Sequence, residues 1–148
     1  MLPTDDPGPD AKDVGTLGPR PSSLVMLRGE GRVTVTRRGP TQVACRLSGA
    51  IETVHVEWLL AELDRQLATG VTGVFVDASR LPLLSSSARR ALGAWSIEHH
   101  AGLRAVHVLG DAGSLDEPLE SLGRALGARL HHHRHAEPFL AALQAHPT

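Results

Sequence analysis

The run Ser85-Ser86-Ser87-Ala88-Arg89-Arg90 concentrates hydroxyls and guanidiniums just ahead of an apolar stripe formed by Ala91, Leu92 and Trp95. The pattern predicts a serine-capped helix from Ala88 to about His99, with any of the three serines able to supply the cap. A helix N-terminus exposes unpaired N–H groups and the positive end of the peptide dipole, so an anion or a phosphoserine is stabilised there. The chemistry is then either a phosphorylatable switch or a plain cap. Arg89 and Arg90 suit a phosphate or an acidic partner, and equally suit a solvated helix face.

Three other groups could do chemistry. Asp77 follows the apolar run Val74-Phe75-Val76, which places it at the carboxyl end of a buried strand, where open α/β sheets bind ligands. No second acid lies nearby in sequence to complete an acid–base pair. His131, His133 and His135 would share one face of a strand, and neutral imidazoles bind zinc or nickel. The run His131-His132-His133-Arg134-His135 contains no acid, so adventitious metal binding is expected rather than a resident metal. Cys45 falls on a core-facing strand position, where a thiol is inert. The sequence contains no GxxxxGK[ST] phosphate loop, no G-x-S-x-G elbow and no HExxH helix, and no cofactor is expected.

Hydropathy periods define the elements that position these residues. Residues 1–23 hold five of the ten prolines, interleaved with Gly8, Gly15 and Gly18, and read as a disordered tail ahead of a domain at 24–148. Order is expected from the apolar run Leu24-Val25-Met26-Leu27. Val33-Thr34-Val35-Thr36 alternates with period two, and Val43, Cys45 and Leu47 share a face, so a hairpin turns at Arg38-Gly39-Pro40. Val56, Leu60, Leu63 and Leu67 then mark a helix from about Glu52 to Ala68. A loop is expected from Ala78 to Leu84. Ala105 to Leu109 reads as another strand. Ser114, Glu117 and Pro118 open a helix through Leu119, Leu122 and Leu126. Arg129 to His132 reads as an edge strand, and Pro138 to Gln144 as a last helix with Phe139, Leu140 and Leu143 inward. The order β-β-α-β-α-β-α-β-α predicts an α/β fold with a largely parallel sheet.

Composition excludes several function classes. The formal net charge of −1 and the 3% aromatic content argue against a nucleic-acid partner, both as a basic field and as a base-stacking platform. One cysteine excludes an internal disulfide. No apolar run approaches the ~18 residues of a membrane span. The acidic start, Met1 to Asp6, has no apolar signal core, so a cytoplasmic chain without integral membrane association is expected.

The stretch Gly73-Val74-Phe75-Val76-Asp77-Ala78-Ser79-Arg80-Leu81-Pro82-Leu83-Leu84-Ser85-Ser86-Ser87-Ala88-Arg89-Arg90-Ala91-Leu92, preceded by a hairpin and a helix, resembles the STAS domain of bacterial anti-sigma-factor antagonists. In that family a hydrophobic strand leads to an Asp-Ser-Ser-Gly-Leu motif that opens a helix. The coarse likeness spans about 24–146, and 73–92 carries the motif. The resemblance implies a mixed sheet of four to five strands with packed helices and a non-enzymatic regulatory role. It places the family's phosphoacceptor serine at Ser86, with Ser85 at the motif's aspartate and Ala88 at its glycine. Ser87-Ala88-Arg89-Arg90 with Trp95 also resembles a divergent bacterial branch that joins the STAS fold to CRAL-TRIO-type lipid-binding proteins. The implied partner is a protein, such as a serine kinase or anti-sigma-like regulator. It would be bound around 78–95 through Asp77, Ser85, Ser87, Arg89 and Arg90. The alternative is a small apolar ligand or lipid held in a cavity beneath the same helix.

Overall fold

The structure, a computed structural model, describes residues 23–110, 119–120 and 122–145. All but one residue of the expected disordered tail, and the expected helix start at Ser114 to Pro118, lie outside them. The strands are β1 (Ser23–Arg28), β2 (Gly31–Arg37), β3 (Gln42–Ile51), β4 (Gly73–Leu84), β5 (Ala105–Leu109) and β6 (Leu130–His133). The helices are α1 (Thr53–Ala68), α2 (Ser86–His99), α3 at residues 119–120 and 122–126, and α4 (Ala136–Ala145). The six strands form one sheet in chain order, β1-β2-β3-β4-β5-β6. The first two pairings are antiparallel and the last three parallel. This is the expected α/β fold with one further strand. Ser23–Arg28 joins the sheet as its antiparallel edge, and Leu24, Val25 and Leu27 stay exposed there. No described helix is long and apolar enough to cross a membrane.

Alternation sorts the side chains into two layers. Val33 and Val35 of β2, Val43, Cys45 and Leu47 of β3, Val74 of β4, and Val106 and Val108 of β5 are buried in one cluster with Val56, Leu59 and Leu63 of α1 and Trp95 of α2. The other face is covered only in part. There Phe75, Leu109 and Phe139 form a small second cluster, with Ala44, Ala142 and Leu143 against it. Leu140, expected inward, is exposed because Phe139 and Leu143 occupy the buried side of α4. Burial pushes the Cys45 thiol up to about 12, so it stays protonated and unreactive at neutral pH.

The stretch 78–84, expected as a loop, continues β4. Parallel pairing runs on through Ser48↔Arg80, Ala50↔Leu83 and Ile51↔Leu84, with register shifts on either side of Ser48. Asp77 Oδ1 accepts hydrogen bonds from the Ser79 backbone N–H at 3.0 Å and the Ser79 hydroxyl at 2.6 Å. This local turn absorbs an extra residue as a β-bulge. Without it, strict alternation would turn Leu81 out of the core. With it, Ala78 and Leu81 are both buried, and Ser79 and Arg80 both face solvent.

His55 ties α1 to the hairpin. Its Nδ1 accepts the Glu52 backbone N–H at 3.0 Å, so Nε2 carries the proton and donates to the Arg28 carbonyl at 2.9 Å. The ring is buried, and a Cβ on Gly31 would overlap it. At the other end of α1, the Arg37 guanidinium donates to Gln66 Oε1 at 2.9 Å and to the Pro40 carbonyl at 2.7 Å. A His55→Leu variant keeps the volume but leaves one backbone donor and one acceptor unpaired. Its urea midpoint is expected to fall with an unchanged slope, a loss of about 2–3 kcal/mol. An unchanged midpoint would show that His55 does not hold this junction.

Candidate functional site

The serine run sits where β4 hands over to α2. Ile51↔Leu84 is the last strand pair, and the Ser85 N–H still donates to the Ile51 carbonyl at 3.3 Å. The chain then turns directly into the helix. Ser85 Oγ accepts the Ala88 N–H at 3.1 Å, so Ser85 is the cap among the three serines. Ser86 and Ser87 occupy the first turn and are exposed. Arg89 Nη2 lies 3.2 Å from Ser86 Oγ, and Arg90 Nη2 lies 3.4 Å from Ser87 Oγ, each as a donor.

The inner face of α2 fixes these groups in place. Ala88 and Ser96 are fully buried, and Ser96 Oγ donates to the Leu92 carbonyl at 2.6 Å. Trp95 Nε1 donates to Asp64 Oδ1 of α1 at 2.8 Å. His99 stacks on the Trp95 ring with centroids 4.9 Å apart, and its Nε2 lies 3.2 Å from the same carboxylate oxygen. The outer face carries Ser86, Arg90, Ala94 and Ile97 in one exposed stripe, with Ile97 66% exposed. Ile97 was not singled out from the sequence. Its position on the polar face was the available signal, since an isoleucine eleven residues after Ser86 falls on the same helix face.

Asp77 does not join this cluster. It lies in mid-strand rather than at the carboxyl end of β4, because the bulge lets β4 run on beside β3. It does mark the last pair with β5, Asp77↔Leu109. Arg46 to Ile51 of β3 spans the same stretch as Asp77 to Leu84, roughly 17 Å at about 3.3 Å per residue, and Ser85 lies one residue beyond. Its carboxylate faces the sheet surface that α4 leaves open, and Arg46 Nε is 3.4 Å away.

Beneath α2 lies an almost wholly apolar cavity of about 70 Å³, lined by residues that include Leu47, Leu63, Val76, Trp95, Val108 and Leu122. It sits where the apolar-ligand reading requires a cavity.

The late histidines stack on the opposite face. The His107 ring lies against Phe75 at 4.5 Å, against His131 at 4.4 Å and against His133 at 5.2 Å. His135 lies beyond the end of β6 and does not share this face. Among the described residues, no group of three or more His, Cys, Asp or Glu side chains could hold a metal ion. His107 Nδ1 and His133 Nε2 are hydrogen-bonded at 3.0 Å, so one of the two nitrogens must lack a proton. Burial first, then the charges of His131 and His132, push His133 below the ordinary imidazole value of 6.5. The unfolded chain therefore takes this proton more readily than the folded one. The stabilisation from neutral His133 is full above that ordinary value and is lost as pH falls from it towards the lowered one. A melting series from about pH 7.5 to about pH 5 is expected to show a falling Tm, with a shallower fall in His133→Gln. Equal slopes for the two proteins would show that His133 is not the group responsible.

No family model and no curated protein matches the sequence. Solved structures do. A Shewanella loihica protein of the DUF3478 family, described as having a SpoIIAA-like fold, superposes with a TM-score of 0.56 at 13% identity, covering 84% of this chain and 96% of that one. The Bacillus cell fate determinant SpoIIAA in its phosphorylated form superposes with a TM-score of 0.51 at 17% identity, covering 82% and 99%. An anti-sigma factor antagonist from Mycobacterium paratuberculosis gives 0.50 at 16% identity, covering 84% and 95%. At these identities the likeness speaks for architecture alone, and that architecture is the one the resemblance of residues 73–92 implied, with one strand more: this chain has a SpoIIAA-like fold.

Proposed function

We propose that this chain is a non-enzymatic regulatory module that binds a protein partner through the start and outer face of α2, with Ser86 as its phosphoacceptor. The observation that carries the reading is the division of labour between adjacent serines. Ser85 spends its oxygen on the cap, and Ser86 beside it is exposed in the first turn. A serine at the family's aspartate position still supplies a capping oxygen. Ala88, at the glycine position, is fully buried and leaves the outer face clear. A phosphoryl group on Ser86 would add about −1.5 to −2 charges at the positive end of the helix and beside Arg89. The exposed stripe from Ser86 to Ile97 would then present a changed charge next to an apolar anchor. The solved neighbours support a regulatory role, since they include anti-sigma factor antagonists and a phosphorylated form.

The apolar-ligand alternative meets a size limit. The cavity of about 70 Å³ is less than half the ~150 Å³ of an engineered cavity that admits benzene. It has no room for an acyl chain. Native mass spectrometry of the purified protein is expected to show the bare chain, and a retained apolar molecule would favour the alternative.

Stability and binding separate the two serines. Ser85→Ala is expected to cost about 1 kcal/mol in denaturant unfolding, and Ser86→Ala markedly less. Affinity capture from the native host, with intact-mass measurement of the bait, is expected to return a regulatory protein and one phosphoryl group on Ser86. Ser86→Asp is expected to change that partner's affinity at least fivefold. Unchanged affinity, together with an unmodified Ser86 in the native protein, would overturn the switch.

A further inference from the structure

The sheet face opposite α2 carries a basic groove that the regulatory reading does not use. It is about 530 Å³ in volume and is flanked by α4. The strand register arranges its floor in rows. Arg32 of β2, Ser48 of β3 and Arg80 of β4 form one row, and Thr34, Arg46 and Asp77 form the next. Arg38 lies at the end of β2 on the same surface. Four guanidiniums thus face one groove with a single carboxylate. Of the four arginines, Asp77 pairs with Arg46, whose side chain remains 61% exposed. Arg32, Arg38 and Arg80 are exposed and have no ion pair or hydrogen bond from their side chains among the described residues.

This placement is not a by-product of composition, because the chain as a whole has a net charge of −1. An excess of three positive charges is collected on one open surface, where the arginines repel one another. The bulge at Asp77 contributes directly, since it rotates Arg80 outward into the row with Ser48 and Arg32. The groove's far wall is apolar: Leu140 is 49% exposed, and Leu143 and buried Phe139 continue it. A chain laid along such a groove meets guanidiniums on one side and aliphatic carbons on the other. An extended segment with alternating acidic and apolar residues presents those two chemistries on its two faces. A nucleic acid fits less well, because the one aromatic ring lining the groove, Phe139, is buried and unavailable for base stacking.

We propose that the groove lined by Arg32, Arg38, Arg46 and Arg80 is a second docking site, which takes an acidic segment of a protein partner independently of α2. The probe is a fluorescein-labelled twelve-residue peptide of alternating glutamate and leucine, read by anisotropy at low ionic strength against the full chain. Binding is expected to weaken at least tenfold in Arg32→Gln/Arg80→Gln, and to be unchanged in Ser86→Asp and Arg90→Gln. Far-UV circular dichroism checks that each variant remains folded, as substitutions at exposed positions predict. A peptide with lysine in place of glutamate is expected not to bind. Equal affinity for wild type and the double arginine variant would overturn the proposal. So would equal competition by a single-stranded oligonucleotide of matched charge, which would reveal a general polyanion surface. Loss of binding in Ser86→Asp would place the peptide on α2 instead and would also overturn it.

Discussion

One requirement organises this molecule: β4 must stay beside β3 over its whole length while its side chains serve two different layers. Its first half satisfies this by simple alternation, with Val74 packed in the main core and Phe75 on the opposite face. Its second half must also keep Leu81 in the core, and strict alternation would not. The hydrogen bonds from Ser79 to Asp77 absorb one residue and resolve the conflict. Everything downstream depends on that correction. With the second register shift, between Ser48 and Ala50, it sets where β4 ends, hence where Ser85 caps α2, and hence which serine is left exposed. It also decides that Arg80 faces the open surface. The basic groove follows from this bulge, and the helix face follows from it together with the second register shift, between Ser48 and Ala50.

The helix layer is locked by polar contacts at its seams rather than by apolar packing alone. Asp64 receives Trp95 and His99 from α2, while His55 and Arg37 anchor the two ends of α1 to the hairpin. Of these, His55 and Trp95 are buried, and the polar nitrogens of both rings are paired, as burial requires. They fix the direction of α2 relative to the sheet. A partner reading the Ser86-to-Ile97 stripe would meet a rigid surface, so the cost of ordering it has been met during folding.

Local patterns exposed much of this in the sequence. Val43, Cys45 and Leu47 lie inward as their spacing requires, and the β-α alternation predicts the parallel half of the sheet. The motif-like stretch 73–92 located the start of α2, but a run of serines gives no means of choosing the cap. That choice depends on where the strand releases the chain. β1 was hard to read as a sheet strand because Leu24 to Leu27 lacks polar alternation, and its role follows from pairing with β2. The extension of β4 was hidden because Ser79, Arg80 and Pro82 resemble turn residues, while the pairing that holds them comes from β3. Leu140 faces out because the direction of α4 is set by Phe139 meeting Phe75. The arginine groove was the least legible feature. Its residues come from separate strands, and only the register brings them together.

The sheet's strand order is also the order in which the chain is made. Each strand pairs with the one synthesised before it, so none has to be inserted between neighbours that have already joined. The hairpin and its edge strand can assemble while later segments are still emerging, and α1, α2 and α3 each arrive just ahead of the next strand. A newly made chain therefore carries a single growing edge, and the next strand to appear is always the one that covers it.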